Sequence, residues 1–204
     1  MVHKKAVGGF PESKLRRRGY KVDDGLMSVL KSTVPMGKSF VDIGAGNGRY
    51  VRAMIKEGYR SKGYDGAENV FEVSGGLVSF LDLTSPQACR KEEISDWGLF
   101  NEVGEHVPEK FETVLIENVC SLCREGIIVS WARPGQRGHG HVNCRTPQYV
   151  AFQFARCGWL VDVELTNAAN ARVGRSYRGK ILILSNFGAS HVINKGNGTV
   201  ECDC

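Results

Sequence analysis

The chain has 204 residues, enough for one domain with a full core, and leaves little room for a separate substrate domain. Hydrophobic residues make up 42% and charged residues 24%, the balance of a folded globular chain and not of a disordered or fibrous one. A formal charge of +5 is compatible with an anionic substrate but too small to argue for nucleic acid by itself.

Residues 1–37 precede the first strand as an N-terminal segment. They carry the densest basic run, Lys14-Leu15-Arg16-Arg17-Arg18, which reads as a solvated face or flexible arm, or else as an arm that contacts phosphate. Asp23 or Asp24 can cap a helix reaching about Ser32, with Leu26, Val29 and Leu30 at helical spacing. A first strand over 39–43 then stops at Gly44-Ala45-Gly46-Asn47-Gly48, where Gly44 and Gly46 permit a tight turn and close approach to a ligand. A helix over 48–57 and a strand over 59–65 follow. That strand ends at Asp65, 21 positions after Gly44, where a carboxylate can accept from both hydroxyls of a ribose.

After a short helix near 67–72, a third strand over 77–81 ends in Asp82-Leu83, an acid beside an apolar residue suited to gripping an adenine. Thr84 to Cys89 reads as a short turn or helix. A fourth strand over 97–101 runs into Asn101-Glu102-Val103-Gly104-Glu105-His106-Val107-Pro108. A helix from about Glu109 to Cys123 is expected to end at Glu125-Gly126, and Ile127 to Trp131 reads as a buried fifth strand. Pro147 opens a helix to Cys157, with strands over 159–165 and 180–185 beyond it and no long helix between these two. Residues 187–204 read as a tail. The alternation predicts an α/β fold, a doubly wound, mostly parallel seven-stranded sheet formed by residues 38–186.

Seven cysteines form no regular framework, and Cys120-Ser121-Leu122-Cys123 lacks a second pair at zinc-ribbon spacing, so it is assigned to helix packing. No apolar run reaches membrane-span length, and the first residues lead into no apolar signal core. Reduced thiols in the cytoplasm, with no membrane association, are the resulting expectation. The acceptor pattern Asn197-Gly198-Thr199 means little without a secretion signal.

The glycine turn with Asp42, the acids closing strands two and three, and the Glu-His-x-Pro turn after strand four together resemble class I S-adenosyl-L-methionine (SAM) dependent methyltransferases over roughly residues 38–186. The resemblance implies a Rossmann-like sheet whose last two strands form an antiparallel edge, with the N-terminal helix covering the cofactor. It also implies SAM on the side of Asp42, Gly44, Gly46, Asp65, Asp82, Leu83 and Asn101. A dinucleotide-binding oxidoreductase competes for the same loop, but its fingerprint wants a glycine at position 49, which is Arg49.

Glu102, Glu105 and His106 are spaced Glu-x-x-Glu-His, similar to the ubiquinone-biosynthesis O-methyltransferases and the small-RNA 2′-O-methyltransferases. The resemblance implies a divalent metal on Glu102, Glu105, His106 and a further histidine, for which the glycine-rich segment 133–143 offers His139 and His141. Mg²⁺ would suit the oxygens, and Mn²⁺, Fe²⁺ or Zn²⁺ the mixed set. Equally, His106 or His141 can serve as a general base, Glu105 beside them, in a metal-free enzyme. Trp97, Trp131 and Tyr149 are either substrate walls or core. The expected function is methylation of a small-molecule oxygen. N-methylation, RNA 2′-O-methylation through the basic arm, or a non-catalytic partner subunit are the alternatives. Oligomeric state is not legible in the sequence.

Overall fold

The computed structural model describes residues 22–86 and 94–186. In chain order these form α1 (Asp24–Thr33), β1 (Ser39–Ile43), α2 (Arg49–Lys56), β2 (Arg60–Asp65), α3 (Val70–Ser74), β3 (Val78–Phe80) and β4 (Ser95–Asn101). Then come α4 (Glu112–Ser121), β5 (Cys123–Ser130), α5 (Pro147–Ala155), β6 (Trp159–Val161), α6 (Val163–Arg172) and β7 (Leu182–Asn186). The strands make one sheet in the order β3-β2-β1-β4-β5-β7-β6. β1 to β5 are parallel, and β7 runs antiparallel to both β5 and β6, which gives the expected antiparallel pairing at that edge.

Alternation along the strands splits the core into two layers, because successive side chains leave a strand on opposite faces. Phe40, Leu99, Ile128 and Ile183 pack against Leu26, Val29 and Leu30 of α1, Tyr50 and Met54 of α2, and Ala169 of α6. Val41, Ile43, Phe100, Ile127, Val129 and Leu184 face Leu115, Ile116 and Val119 of α4 and Val150 and Phe154 of α5. Burial on both faces explains the nearly unbroken apolar run of β5. The register sets Ile43 beside Tyr64 and Phe100, and Asn101 beside Ser130, so the carboxyl ends of four strands meet along one edge.

Local chemistry sets the helix ends. Asp23 caps α1 by accepting from Leu26 N at 2.8 Å, Thr146 caps α5 ahead of Pro147, and Asp162 caps α6 by accepting from Leu165 N at 2.9 Å. That last cap corrects two expectations. Strand six ends at Val161, not near residue 165, and a ten-residue helix joins β6 to β7. Strand seven starts at Leu182, which leaves Lys180 outside the sheet. The expected helix 109–123 divides into a 3-10 turn at Glu109–Phe111 and α4, while Cys123, Glu125 and Gly126 lie within β5. The short helix expected near 67–72 lies at Val70–Ser74.

The basic run 14–18, Cys89 and the tail 187–204 lie outside the described residues. Cys120, Cys123, Cys144 and Cys157 carry free thiols. Among the described residues no helix is long and apolar enough to cross a membrane.

Candidate active site

Strand order reverses between β1 and β4, the place where an open parallel sheet opens a crevice at its carboxyl edge. β1 enters that crevice through the glycine turn. Gly44 has φ +82°, and a Cβ there would run into the methyls of Val103. The turn is bonded internally: Gly44 N and Ala45 N donate to Tyr64 O at 2.8 and 2.9 Å, and Gly48 N donates to Ala45 O at 2.9 Å. Asp65 stitches the turn to the end of β2, its Oδ2 accepting from Gly46 N at 2.8 Å and its Oδ1 from Ala67 N at 2.9 Å. Each carboxylate oxygen has a further lone pair for a diol. With four of its five amides spent in this way, the turn lacks the open row of N–H donors that cradles a pyrophosphate.

Asp42 is buried at the end of β1, where burial and the nearby Asp65 charge push its carboxyl up to about 7, against the pull of Arg49. Burial raises Asp65 as well, opposed by the Gly46 and Ala67 amides. At the end of β3, Asp82 Oδ1 accepts from Thr84 N at 2.9 Å and from Thr84 Oγ1 at 2.7 Å, which pins the following turn. Leu83 is buried in that turn, and its carbonyl accepts from Asn118 Nδ2 at 2.9 Å.

β4 ends at Asn101, whose Oδ1 lies 2.8 Å from the Ser130 hydroxyl on the adjacent strand. Glu102 follows with φ +54°, the one non-glycine residue with positive φ among the described residues. A left-handed non-glycine costs roughly 1–3 kcal/mol and persists only where its surroundings hold it. Here Oε1 meets the Ser130 hydroxyl at 2.9 Å, and Oε2 accepts from Lys180 Nζ at 2.8 Å and Gln136 Nε2 at 3.3 Å.

A 3-10 turn over Gly104–His106 comes next. Gly104 is required because the Trp131 indole occupies the space a Cβ would fill. Glu105 is fully buried, and neither of its carboxylate oxygens has a hydrogen-bond partner. Burial, reinforced by the Glu102 charge, pushes its carboxyl up to about 8, against the pull of the nearby main-chain amides of Glu105 and Ala132 and of the Lys180 charge.

The main chain of Glu105 organises the loop after β5, its carbonyl accepting from Val142 N at 2.8 Å and Asn143 N at 3.0 Å. Glu112 of α4 anchors the far end, accepting from Asn143 Nδ2 at 2.8 Å, Arg145 Nε at 3.0 Å and Tyr149 OH at 2.6 Å. The loop thereby delivers His141 to the turn, with ring centroids of His106 and His141 5.1 Å apart. His141 Nδ1 lies 3.0 Å from Gln136 O, and His106 Nδ1 lies 3.2 Å from Gly140 O. A carbonyl only accepts, so both Nδ1 atoms carry the proton and both Nε2 atoms keep the lone pair. Burial lowers the His106 pKa, which keeps the ring neutral. Glu105, His106 and His141 each offer a ligand atom within 4.8 Å of the others.

No family model matches the sequence, and no curated protein does. Solved structures share its architecture. The CcbJ methyltransferase of Streptomyces caelestis superposes with a TM-score of 0.62 at 11% identity, over 90% of this chain and 98% of that one. Magnesium protoporphyrin IX methyltransferase of Synechocystis PCC 6803, with bound SAH, gives 0.60 at 16% identity, over 85% and 92%. The glycopeptide N-methyltransferase MtfA, complexed with sinefungin, gives 0.57 at 12% identity, over 87% and 97%. This chain has the class I methyltransferase fold. Its antiparallel β7, placed between β5 and β6, departs from the six-stranded dinucleotide-binding order 3-2-1-4-5-6.

Within the methyltransferase fold, Asp42, Gly44, Gly46, Asp65 and Asn101 lie at the carboxyl ends of β1, β2 and β4, and Asp82 and Leu83 just past β3. Of the four residues expected to bind metal, the fold brings Glu105, His106 and His141 together and gives Glu102 to Lys180. His139 is exposed on the loop, outside that group. Trp97 and Trp131 are core residues, and Tyr149 is spent on Glu112. Sequence reasoning missed Lys180, Gln136, Ser130 and Glu112. Only Lys180 left a signal, as a lysine entering an otherwise apolar strand.

Proposed function

We propose that this chain is a SAM-dependent methyltransferase acting on an oxygen of a small molecule, with a divalent cation held by Glu105, His106 and His141. The observation that carries the cation is the Glu105 carboxylate, fully buried and without a hydrogen bond, 3.9 Å from His141 Nε2. Such a group needs either a proton or a cation. Metal-ligating histidines characteristically donate their second ring N–H to a carbonyl, as His106 and His141 do to Gly140 and Gln136. Two imidazoles with one carboxylate suit Mn²⁺, Fe²⁺ or Zn²⁺ better than Mg²⁺.

The crevice also fits SAM. Asp65 is held with lone pairs available to a ribose, and Gly44 and Gly46 put no side chain at their two positions in the first turn. Asp82, Leu83 and Asn101 line the ends of the neighbouring strands. When bound, SAM supplies a methyl on a sulfonium already activated for in-line displacement. When bound, the cation supplies a Lewis-acid field that makes a nearby hydroxyl more acidic. The chain's own residues then hold the substrate oxygen in line with the methyl, and the 132–146 loop closes over it. With its Nδ1 proton held on Gly140 O, His106 has one lone pair, at Nε2: it either holds the cation or, in a metal-free site, accepts the hydroxyl proton in its place.

The test is transfer of radiolabelled methyl from SAM into a cell extract separated into small-molecule, protein and RNA fractions, with and without EDTA. EDTA-sensitive label in small molecules is the expected result. Label that survives EDTA would leave a histidine base and no cation. Label in RNA would move the substrate assignment to RNA, and no label in any fraction would favour a non-catalytic partner subunit.

A further inference from the structure

Glu102 and Glu105 have the same chemistry three positions apart, yet only Glu105 joins the two histidines. The difference lies in what already occupies Glu102. Its Oε2 accepts from Lys180 Nζ at 2.8 Å, and the lysine side chain is only 4% exposed. A buried ammonium without a carboxylate costs several kcal/mol, so Lys180 cannot release Glu102 cheaply. The left-handed backbone of Glu102 and the Ser130 hydroxyl at Oε1 point to the same restraint. Gln136 completes it, with its amide nitrogen 3.3 Å from Glu102 Oε2 and its amide oxygen 3.3 Å from Lys180 Nζ. The carbonyl of this same Gln136 orients His141.

Resting on the cation reading above, we infer that Lys180 is a positioning residue that holds Glu102 out of the ligand set. The centre therefore has one carboxylate and two imidazoles. With Oε1 on the Ser130 hydroxyl and Oε2 on Lys180, Glu102 brings neither oxygen into the group formed by Glu105, His106 and His141. A dication on a single carboxylate retains a net positive charge, which favours an ionised substrate oxygen. A second carboxylate would cancel that charge and shift the donor set toward hard cations. Lys180 thus controls both the charge at the centre and the metal it selects.

The test is calorimetric titration of the full chain with Mg²⁺ and with Zn²⁺, separately, without substrate. In Lys180→Met, Glu102 is free to turn inward, and Mg²⁺ affinity rises by about 10–100-fold, the size outer-shell partners usually carry. Lys180→Arg keeps the pair and the original preference. The double variant Lys180→Met/Glu102→Gln, which leaves no unpaired charge, loses the gain and covers the case in which the single variant folds poorly. A change in the Mg²⁺-to-Zn²⁺ ratio separates this role from simple loss of stability. Zn²⁺ binding by the wild type with an unaltered ratio in a folded Lys180→Met overturns this inference alone. Binding of neither ion by any of the proteins overturns the cation reading and this inference with it.

Discussion

The carboxylate of Glu105 lies 3.9 Å from Nε2 of His141, and neither carboxylate oxygen has a hydrogen-bond partner. The main chain enforces this approach. The Glu105 carbonyl holds the amides of Val142 and Asn143, so one residue both fixes the loop and faces the histidine the loop carries. A fold selected for stability alone would give that carboxylate a donor or replace it.

Glu105→Gln should therefore separate stability from function. The cation-induced rise in melting temperature disappears, and turnover falls by at least about 100-fold, beyond what outer-shell partners alone cost. Thermal melts with and without Zn²⁺, alongside methyl-transfer assays, check both. An unchanged metal response would remove Glu105 from the site.

Asp42 gives the chain a defined pH dependence. Its carboxyl ordinarily loses its proton near 3.8 but in the folded chain keeps it up to about 7. Between those values the folded state binds the extra proton, so stability falls as pH rises. Its contribution is whole below the lower value and gone above the upper one. Asp65 and Arg49 are the charges acting on it. Asp42→Asn should flatten this slope, and urea melts spaced across the window measure it. Parallel slopes for variant and wild type would place the titration elsewhere.

Gly44→Ala should be costly on two counts, a positive φ and a collision with Val103. A loss of about 1–3 kcal/mol is expected from the overpacking alone. SAM affinity falls with it, as it should for Gly46→Arg. Isothermal titration with S-adenosylhomocysteine reads the second effect, and denaturant melts the first.

Glu112→Gln tests the anchor of the loop after β5. Glu112 is buried and accepts from Asn143, Arg145 and Tyr149, so neutralising it leaves Arg145 paired with Glu109 alone. Because Arg145 is partly exposed and keeps Glu109, the loss expected is about 1–3 kcal/mol, the size of leaving a buried polar group imperfectly paired. Amide exchange in the 132–146 loop should accelerate more than in β5.

Much of this protein was legible in the residue order because it is local chemistry. Alternation and turn residues place β1 to β4 to within a residue or two, Asp23 announces α1, and the glycine turn with Asp65 marks the crevice. The exceptions have local causes too. Asp162 caps α6 where an apolar run suggested continued strand, and the chain re-enters the sheet at Cys123 sooner than the helical pattern implied.

The composition of the site was decided elsewhere. Spacing proposed Glu102, Glu105 and His106 as equals, and the glycine-rich segment 133–143 offered both His139 and His141. Only the tertiary structure chose between them, because the choice depends on partners distant in sequence. Lys180 claims Glu102, the Glu105 carbonyl brings in the loop, and the Gln136 carbonyl turns His141 toward the carboxylate. Backbone propensity is a property of neighbours along the chain, whereas the charge and orientation of a buried side chain belong to whatever the fold packs against it.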